Sequence, residues 1–576
     1  MTSNTGTIVE ALHRAADLDL PDSGMRFLDR REAATFLSWS EVRSRALAVA
    51  GGLRSAGVEA GERVCLVLPT EPAFADVFFG ILLAGAVPVP LYPPVRLGRL
   101  DEYFARTAAM VDACQAVAVV SSSRVLRVLG RLLELVVPRC GLIDATELQR
   151  SPPCAAAAPM PNDLAMVQFS SGTTVAPKPV GLTHTQMLSN SRAVLGALLA
   201  AYPPSATVRH RGVSWLPLYH DMGLIGCILP ALDRPSDITL LPPEAFLARP
   251  ALWLRALSQY GGTISPAPDF AYALCVERIR EDELEGVDLS KWCAALNGAE
   301  PIAPANLRAF RDRFARWGLR SEALTPVYGL SEAALAVTFS PMDEAFCTFR
   351  LDGEALTRGR AVEVAAGGVE LASVGRPLVG FGVEVRDQTG TPLPDATVGH
   401  IHVSGPSLMQ GYLDRDEQPM VDGWLDTGDL GFLLRGELVI TGRAKDVIVL
   451  RGRNHAPQEI ERAVDPVEGI RTGCAVAVGE IHESGERLVV FVEARSPREE
   501  LAGDCLRAIQ KATGLRPDLV LVLEPGTLPR TSSGKLRRGE SLRRWQAGVL
   551  VPPQSVSVLR LAGAMARSTL ARWRHQ

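Results

Sequence analysis

Three features of the sequence predict an α/β fold with a large N-terminal domain and a small C-terminal one. At 576 residues the chain is longer than one hydrophobic core organises. Helical patterns alternate with short apolar runs bounded by Gly or Pro, the rhythm of layered parallel strands. A charged break at Gly442–Asp446 (GRAKD) then precedes a second, shorter α+β rhythm.

In chain order, strands are expected at Arg63–Leu68, Ala86–Leu91 and Ala116–Val120. The most apolar stretch, Val77–Leu91, is too short to span a membrane and carries Pro88 and Pro90, so it reads as buried helix followed by strand. Ser151–Pro161, rich in Ala and Pro, reads as a surface linker. Strands continue at Val213–Leu216, Ile238–Leu241 and Gly262–Ser265, and residues 374–440 turn to short strands with Gly/Asp turns, a β-rich subdomain. Beyond the break come strand Val447–Leu450, a helix from about Pro457, and strands Gly473–Val478 and Leu488–Glu493. The domains are therefore expected at 1–441 and 447–576, joined by a hinge at 442–446. The tail from Ser541 to Gln576 holds Arg543, Arg544, Arg560, Arg567, Arg572 and Arg574 and no acidic residue. Its apolar spacing (Val558, Leu561, Met565, Trp573) suits a helix packed on the main body, with a membrane surface or an acidic carrier protein as alternatives.

Hydrophobic residues make up 47% and charged residues 22%, as in ordinary globular chains. A net charge of -4 argues against nucleic acid as a partner. Ten cysteines without C-x-x-C pairs suggest neither zinc nor a disulfide framework, and the N-terminus lacks the basic start and apolar run of an export signal, so a cytoplasmic location without a transmembrane segment is expected.

The strand-like Leu164–Phe169 runs into Ser170, Ser171, Gly172, Thr173 and Thr174, with Lys178 close behind. Small hydroxyl residues around a Gly let backbone N–H groups and hydroxyls wrap phosphate oxygens while a Lys neutralises charge. The Walker pattern is absent, and such a turn by itself is more often only a turn. His220-Asp221 suggests a metal pair or hydrolytic dyad, but no third ligand sits at suitable spacing and there is no GxSxG elbow.

Five further segments accompany FSSGTT: WLPLYHDMGLIG at Trp215–Gly226, LNGAEP at Leu296–Pro301, VYGLSE at Val327–Glu332, WLDTGD at Trp424–Asp429 and PRTSSGK at Pro529–Lys535. In this order they resemble the core motifs of the adenylate-forming superfamily, over about residues 40–545. VPLYPP at Val89–Pro94 and the segment Gly428–Glu461, with RGRNHAPQEIE, are most similar to its fatty acyl-AMP ligases. The resemblance implies ATP- and Mg²⁺-dependent activation of a medium- or long-chain fatty acid to acyl-AMP with release of pyrophosphate.

It also implies roles for individual residues. Lys535 would be the mobile lysine that contacts the acyl carboxylate and the α-phosphate, and Glu332 the Mg²⁺ ligand. Asp429 would hold the ribose hydroxyls, with Arg443 on the ribose or phosphate side. Asn297, Gly298, Ala299, Glu300, Tyr328 and Gly329 would form the adenine pocket, and His220 would shape the acyl and α-phosphate region. Lys445 would be the hinge about which the small domain rotates between adenylation and transfer. Taken singly, each of these residue types has an ordinary reading as a turn, surface or core residue.

The chain departs from TGxPKG in its phosphate loop, with Val175 and Pro179 in place of glycines, which stiffens it and weakens ATP binding if either position needs a positive φ. Phe339–Arg376 sits where fatty acyl-AMP ligases carry an insertion that limits small-domain motion and hinders CoA use. That favours transfer to a carrier protein's phosphopantetheine thiol, supplied in trans. An acyl-CoA synthetase using free CoA, or a catalytically weakened nucleotide- or acyl-binding homologue, are the alternatives.

Overall fold

Short apolar runs at the expected places become buried parallel strands. In the computed structural model, which describes residues 6–94, 97–170, 178–204, 209–413, 419–450, 453–482, 485–498, 500–531, 534–553 and 558–575, the first layer is a four-stranded parallel sheet. Its order is Val87–Pro90, Arg63–Val67, Ala118–Ser121, Leu142–Asp144. The apolar stretch at 77–91 is the helix Pro72–Leu83 followed by the strand Val87–Pro90, as its length and prolines predict. The hairpin Leu164–Phe169/Pro179–Thr183 lies against this layer and brackets the phosphate-loop sequence.

The second layer is a nine-stranded sheet. Its centre is parallel, in the order Leu324–Gly329, Ala294–Asn297, Ile264–Ala267, Gly212–Ser214, Asp237–Leu240, Gly24–Leu28. Parallel neighbours present their carboxyl ends at one edge of a sheet, where ligands of open α/β sheets bind. Beyond it, Gly382–Arg386, Gly399–Ser404, Met420–Val421, Trp424–Leu434 and Glu437–Arg443 form the antiparallel β-rich subdomain.

After the turn Ala444–Asp446, the chain builds the hairpin Ile448–Leu450/Arg453–His455 and a sheet of Ile470–His482, Gly485–Ala494 and Leu519–Leu523. Helices Pro457–Val464 and Glu500–Thr513 cover one face with Ile460, Val464, Leu501, Cys505 and Ile509, a core separate from those of the large lobe.

The tail forms the helix expected on the main body, with Trp573 turned away from it. Helix Val558–His575 packs on the large lobe, against Ser123–Leu129 and Gly130–Glu134. Ala564, Ser568 and Ala571 are buried there, while Trp573 is 76% exposed. The reason is close approach: Gly130 N donates to Ser568 Oγ at 2.8 Å, and Ser568 Oγ donates to the carbonyl of Leu126 at 3.2 Å. A Cβ on Gly130 would lie 2.3 Å from the Ser568 carbonyl oxygen, so small residues face each other while Leu570 and Trp573 turn outward. No helix among the described residues is long and apolar enough to cross a membrane.

Candidate active site

Adjacent parallel strands deliver the site. The segments that leave Gly212–Ser214, Ile264–Ala267, Ala294–Asn297 and Leu324–Gly329 bring His220 and Asp221, Asp269, Ala299 and Glu300, and Tyr328 to Glu332 to a common edge. The small lobe covers this edge and encloses a cleft of about 2060 Å³ that both lobes line. Ser170 and Lys178, the described ends of the phosphate loop, line it too; Ser171, Gly172, Thr173, Thr174 and Val175 lie outside the described residues. Pro179 opens the strand Pro179–Thr183 opposite Phe169, an extended position that needs no positive φ.

Antiparallel register places Asp429 directly across from Arg443. Their side chains pair at 3.1 Å, and the Tyr328 hydroxyl donates to the other carboxylate oxygen at 2.8 Å. Burial raises the Asp429 carboxyl above its usual range, against the opposing pull of Arg443, Tyr328 and Lys535. Glu332 is raised by burial as well; its Oε1 accepts from the Tyr412 hydroxyl at 2.9 Å. The Lys178 ammonium stands 4.6 Å from the centre of the Tyr412 ring, so one aromatic side chain links the phosphate-loop lysine to this carboxylate.

Lys535 enters from the small lobe, its backbone N–H donating to Thr531 Oγ1 at 3.0 Å. Burial lowers the ammonium's pKa, while Asp221, Glu300 and Asp429 pull the other way and Arg443 adds to the lowering. A cation held this way is short of solvent and faces several anions. Asp221 has burial against it, yet His220, with Nδ1 at 2.6 Å, and the Ser331 hydroxyl hold it far below the usual carboxylate range. Glu300 is pushed up to about 7 by burial and by the charge of Asp269, although its Oε1 accepts from the Phe270 N–H at 2.7 Å.

The proposed adenine loop divides. Ala299, Glu300, Tyr328 and Gly329 line the cleft, and Ala299 adopts φ 69, a left-handed conformation unusual outside glycine. Asn297 and Gly298 are absent from the lining. The Asn297 side chain is fully buried and donates to Asp269 Oδ1 at 3.0 Å, bracing the loop from behind. At Gly329 a Cβ would meet the Leu335 carbonyl oxygen at 1.8 Å, so the strand passes too close to its neighbour for any side chain. Lys445 sits exposed in the Ala444–Asp446 turn between the lobes.

Sequence reasoning missed Tyr412, Asp269 and Ser331 as members of this network. Tyr412 lies in a GYLDRD stretch whose Gly and Asp residues look like any turn, and Asp269 joins only through tertiary contacts.

Comparison with known proteins agrees with this geometry. A family model described as AMP-binding enzyme matches residues 24–413. The long-chain-fatty-acid–AMP ligase FadD26 of Mycobacterium bovis is 33% identical over 558 residues, covering 90% of this chain and 93% of that protein. A 4-hydroxyphenylalkanoate adenylyltransferase of Mycobacterium marinum is 32% identical over 588 residues, covering 94% and 91%. A solved structure from a study of fatty acyl-adenylate ligases of E. coli and L. pneumophila superposes with a TM-score of 0.88 at 35% identity, covering 94% of this chain and 98% of that one. The chain belongs to the AMP-binding enzymes of the adenylate-forming superfamily, and within it to the group of the fatty acyl-AMP ligases.

Proposed function

We propose that this enzyme condenses a medium- or long-chain fatty acid with ATP to give acyl-AMP and pyrophosphate, and then passes the acyl group to a carrier-protein phosphopantetheine thiol. The observation that carries the reading is the meeting of small-lobe Lys535 with Asp221, Glu300, Asp429 and Arg443 in one inter-lobe cleft.

The carboxylate oxygen attacks the α-phosphorus between two anionic reactants, so an oriented cation must offset the charge that builds up there. Lys535 fills that role, and its depressed pKa reflects a desolvated ammonium whose field is little screened. Asp429 accepts from the ribose hydroxyls, Arg443 orients Asp429 and faces the phosphates, and Tyr328 and Ala299 border the base. His220 keeps Asp221 ionised and in place beside the incoming lysine.

A divalent cation fits at Glu332. Its carboxyl is raised by burial and partnered by a phenol, so a hard cation would restore its charged form. Among the described residues no group of three or more His, Cys, Asp or Glu could hold a metal, so Mg²⁺ here would complete its shell with phosphate oxygens and water. When bound it neutralises triphosphate charge.

Transfer to a carrier rather than free CoA is supported by the segment 339–376. It folds as the strand pair Thr348–Leu351/Val369–Ala372 with helix Gly353–Thr357 between. Glu370 pairs with Arg308 on the large lobe, while Glu354 reaches Arg453 of the small-lobe hairpin at 3.2 Å. The insertion thus touches the lobe that must rotate.

The test is to incubate the protein with ATP, Mg²⁺ and fatty acids of graded length and detect acyl-AMP by mass spectrometry, then to offer each product to CoA and to carrier proteins. Acyl-AMP with thioester on the carrier supports the reading. Thioester on CoA alone moves the assignment to an acyl-CoA synthetase, and nucleotide binding without acyl-AMP rejects it.

A further inference from the structure

The terminal helix Val558–His575 contributes no lining residue to the cleft, yet its outer face carries a distinct pattern. Ala564, Ser568 and Ala571 are turned onto the large lobe. Helical spacing leaves Ala562, Ala566, Thr569, Leu570 and Trp573 on the opposite side, all exposed. Leu570 is 47% exposed, so a large aliphatic side chain and an indole stand in solvent on one stripe. Because Gly130 N donates to Ser568 Oγ at 2.8 Å, this stripe is presented by a helix seated on the large lobe.

Positive charge borders the stripe. Exposed Arg567 stands on one flank and half-buried Arg572 on the other. Arg560 and Arg574 repeat Arg567 at intervals of seven residues, and no acidic residue occurs from Ser541 to Gln576. The helix Ser123–Leu129, on which the tail packs, adds exposed Arg127, and the chain beyond Gly130–Glu134 exposes Leu135 and Val137. The nearby carboxylates Asp101 and Glu134 are both drawn to Arg131. Among the described residues no carboxylate pairs with Arg127, Arg567 or Arg572.

This combination selects among the possible occupants. A second copy of the chain would set arginine against arginine. An acidic carrier protein would answer the charge, but Ala562, Ala566 and Thr569 offer only small side chains, and no acidic group, to fix a protein partner's register. A lipid surface needs no register. Its phosphates take the guanidiniums, while aliphatic and indole groups enter the boundary between headgroups and acyl chains.

We infer that the outer face of the terminal helix, with Leu570 and Trp573 between Arg567 and Arg572, docks the enzyme on an anionic lipid surface. The helix lies along that surface, since no helix among the described residues is long and apolar enough to cross a membrane. Docking would place the enzyme where the fatty acid of the proposed reaction partitions, but it does not depend on that reaction.

The test is sedimentation of the full chain with vesicles of phosphatidylcholine alone and of phosphatidylcholine with about 30% phosphatidylglycerol, at low and high salt. The expected result is binding to the anionic vesicles at least about tenfold tighter than to the neutral ones, and weakened by salt. Leu570→Ala combined with Trp573→Ala should weaken that binding by about tenfold or more. Arg567→Gln should weaken it about fivefold. Both variants should melt with wild-type protein, because the side chains removed are exposed. Failure of the wild-type chain to sediment with anionic vesicles overturns the inference, and so does undiminished binding by the Leu570→Ala/Trp573→Ala variant. Undiminished vesicle binding with a raised KM for an acidic carrier protein would assign the face to that protein instead.

Discussion

Burial raises the carboxyls of Glu300, Glu332 and Asp429 above their ordinary range, and Glu300 offers the clearest consequence. Its carboxyl is pushed up to about 7 by burial and Asp269, so the folded protein binds a proton there more tightly than the unfolded chain does. The stability this adds is complete below the ordinary carboxylate pKa and is lost as pH rises through about 7, where the buried charge must form. Glu300→Gln should therefore raise the melting temperature of the nucleotide-free protein at pH 8 to 9, with the difference shrinking as pH falls to 5. A gap that is constant across that range would contradict the account. Asp429 makes a separate prediction. Asp429→Asn keeps the shape but loses the ionised acceptor and the pair with Arg443. It should raise the KM for ATP by about tenfold to a hundredfold, as for a charged hydrogen bond of roughly 1.5–3 kcal/mol, while the KM for the fatty acid stays put. An unaltered KM for ATP would remove Asp429 from nucleotide binding.

Among the elements, the terminal helix Val558–His575 depends on one glycine. Gly130→Leu would drive a side chain into the Ser568 backbone. The helix should then undock and its amides exchange with solvent at least about tenfold faster, in hydrogen-exchange mass spectrometry. Retained protection would show that Gly130 is not what seats it. The same helix marks where sequence reading stops. Parallel strands such as Arg63–Val67 and Ala118–Ser121 were legible because strands buried on both faces read as unbroken apolar runs between breakers. The motif residues Lys535, Glu332, Asp429 and Arg443 were legible as a set because each sits in a short segment with distinctive neighbours, and the fold brings them into one cleft. The tail's spacing suggested a helix packed on the main body, which it is, but Trp573 lies outside the contact, because small residues set how near the two backbones come and no apolar period records that. Asn297 carries the same lesson, since a polar residue in a nucleotide motif reads as lining when it serves as a brace.

For the whole molecule, the proposed reaction requires the small lobe to close on the large one, and both lobes line the cleft between them. Arg544–Glu102 and the donation of Arg99 to the carbonyls of Thr527 and Val551 join the two lobes, and Arg538–Asp446 ties down the turn between them. The turn Ala444–Asp446 is the short connection between the lobes, so Lys445→Pro, which restricts φ there, should impair acyl transfer to the thiol more than adenylate formation. Equal losses in both half-reactions would argue against a hinge at that residue. The most direct check on the central claim is fatty-acid-dependent ATP–pyrophosphate exchange by Lys535→Ala beside wild type. The account predicts a loss of about a hundredfold or more, the scale of removing a preorganised charge from a developing anion, with the melting temperature little changed. Exchange at the wild-type rate in that variant would contradict it.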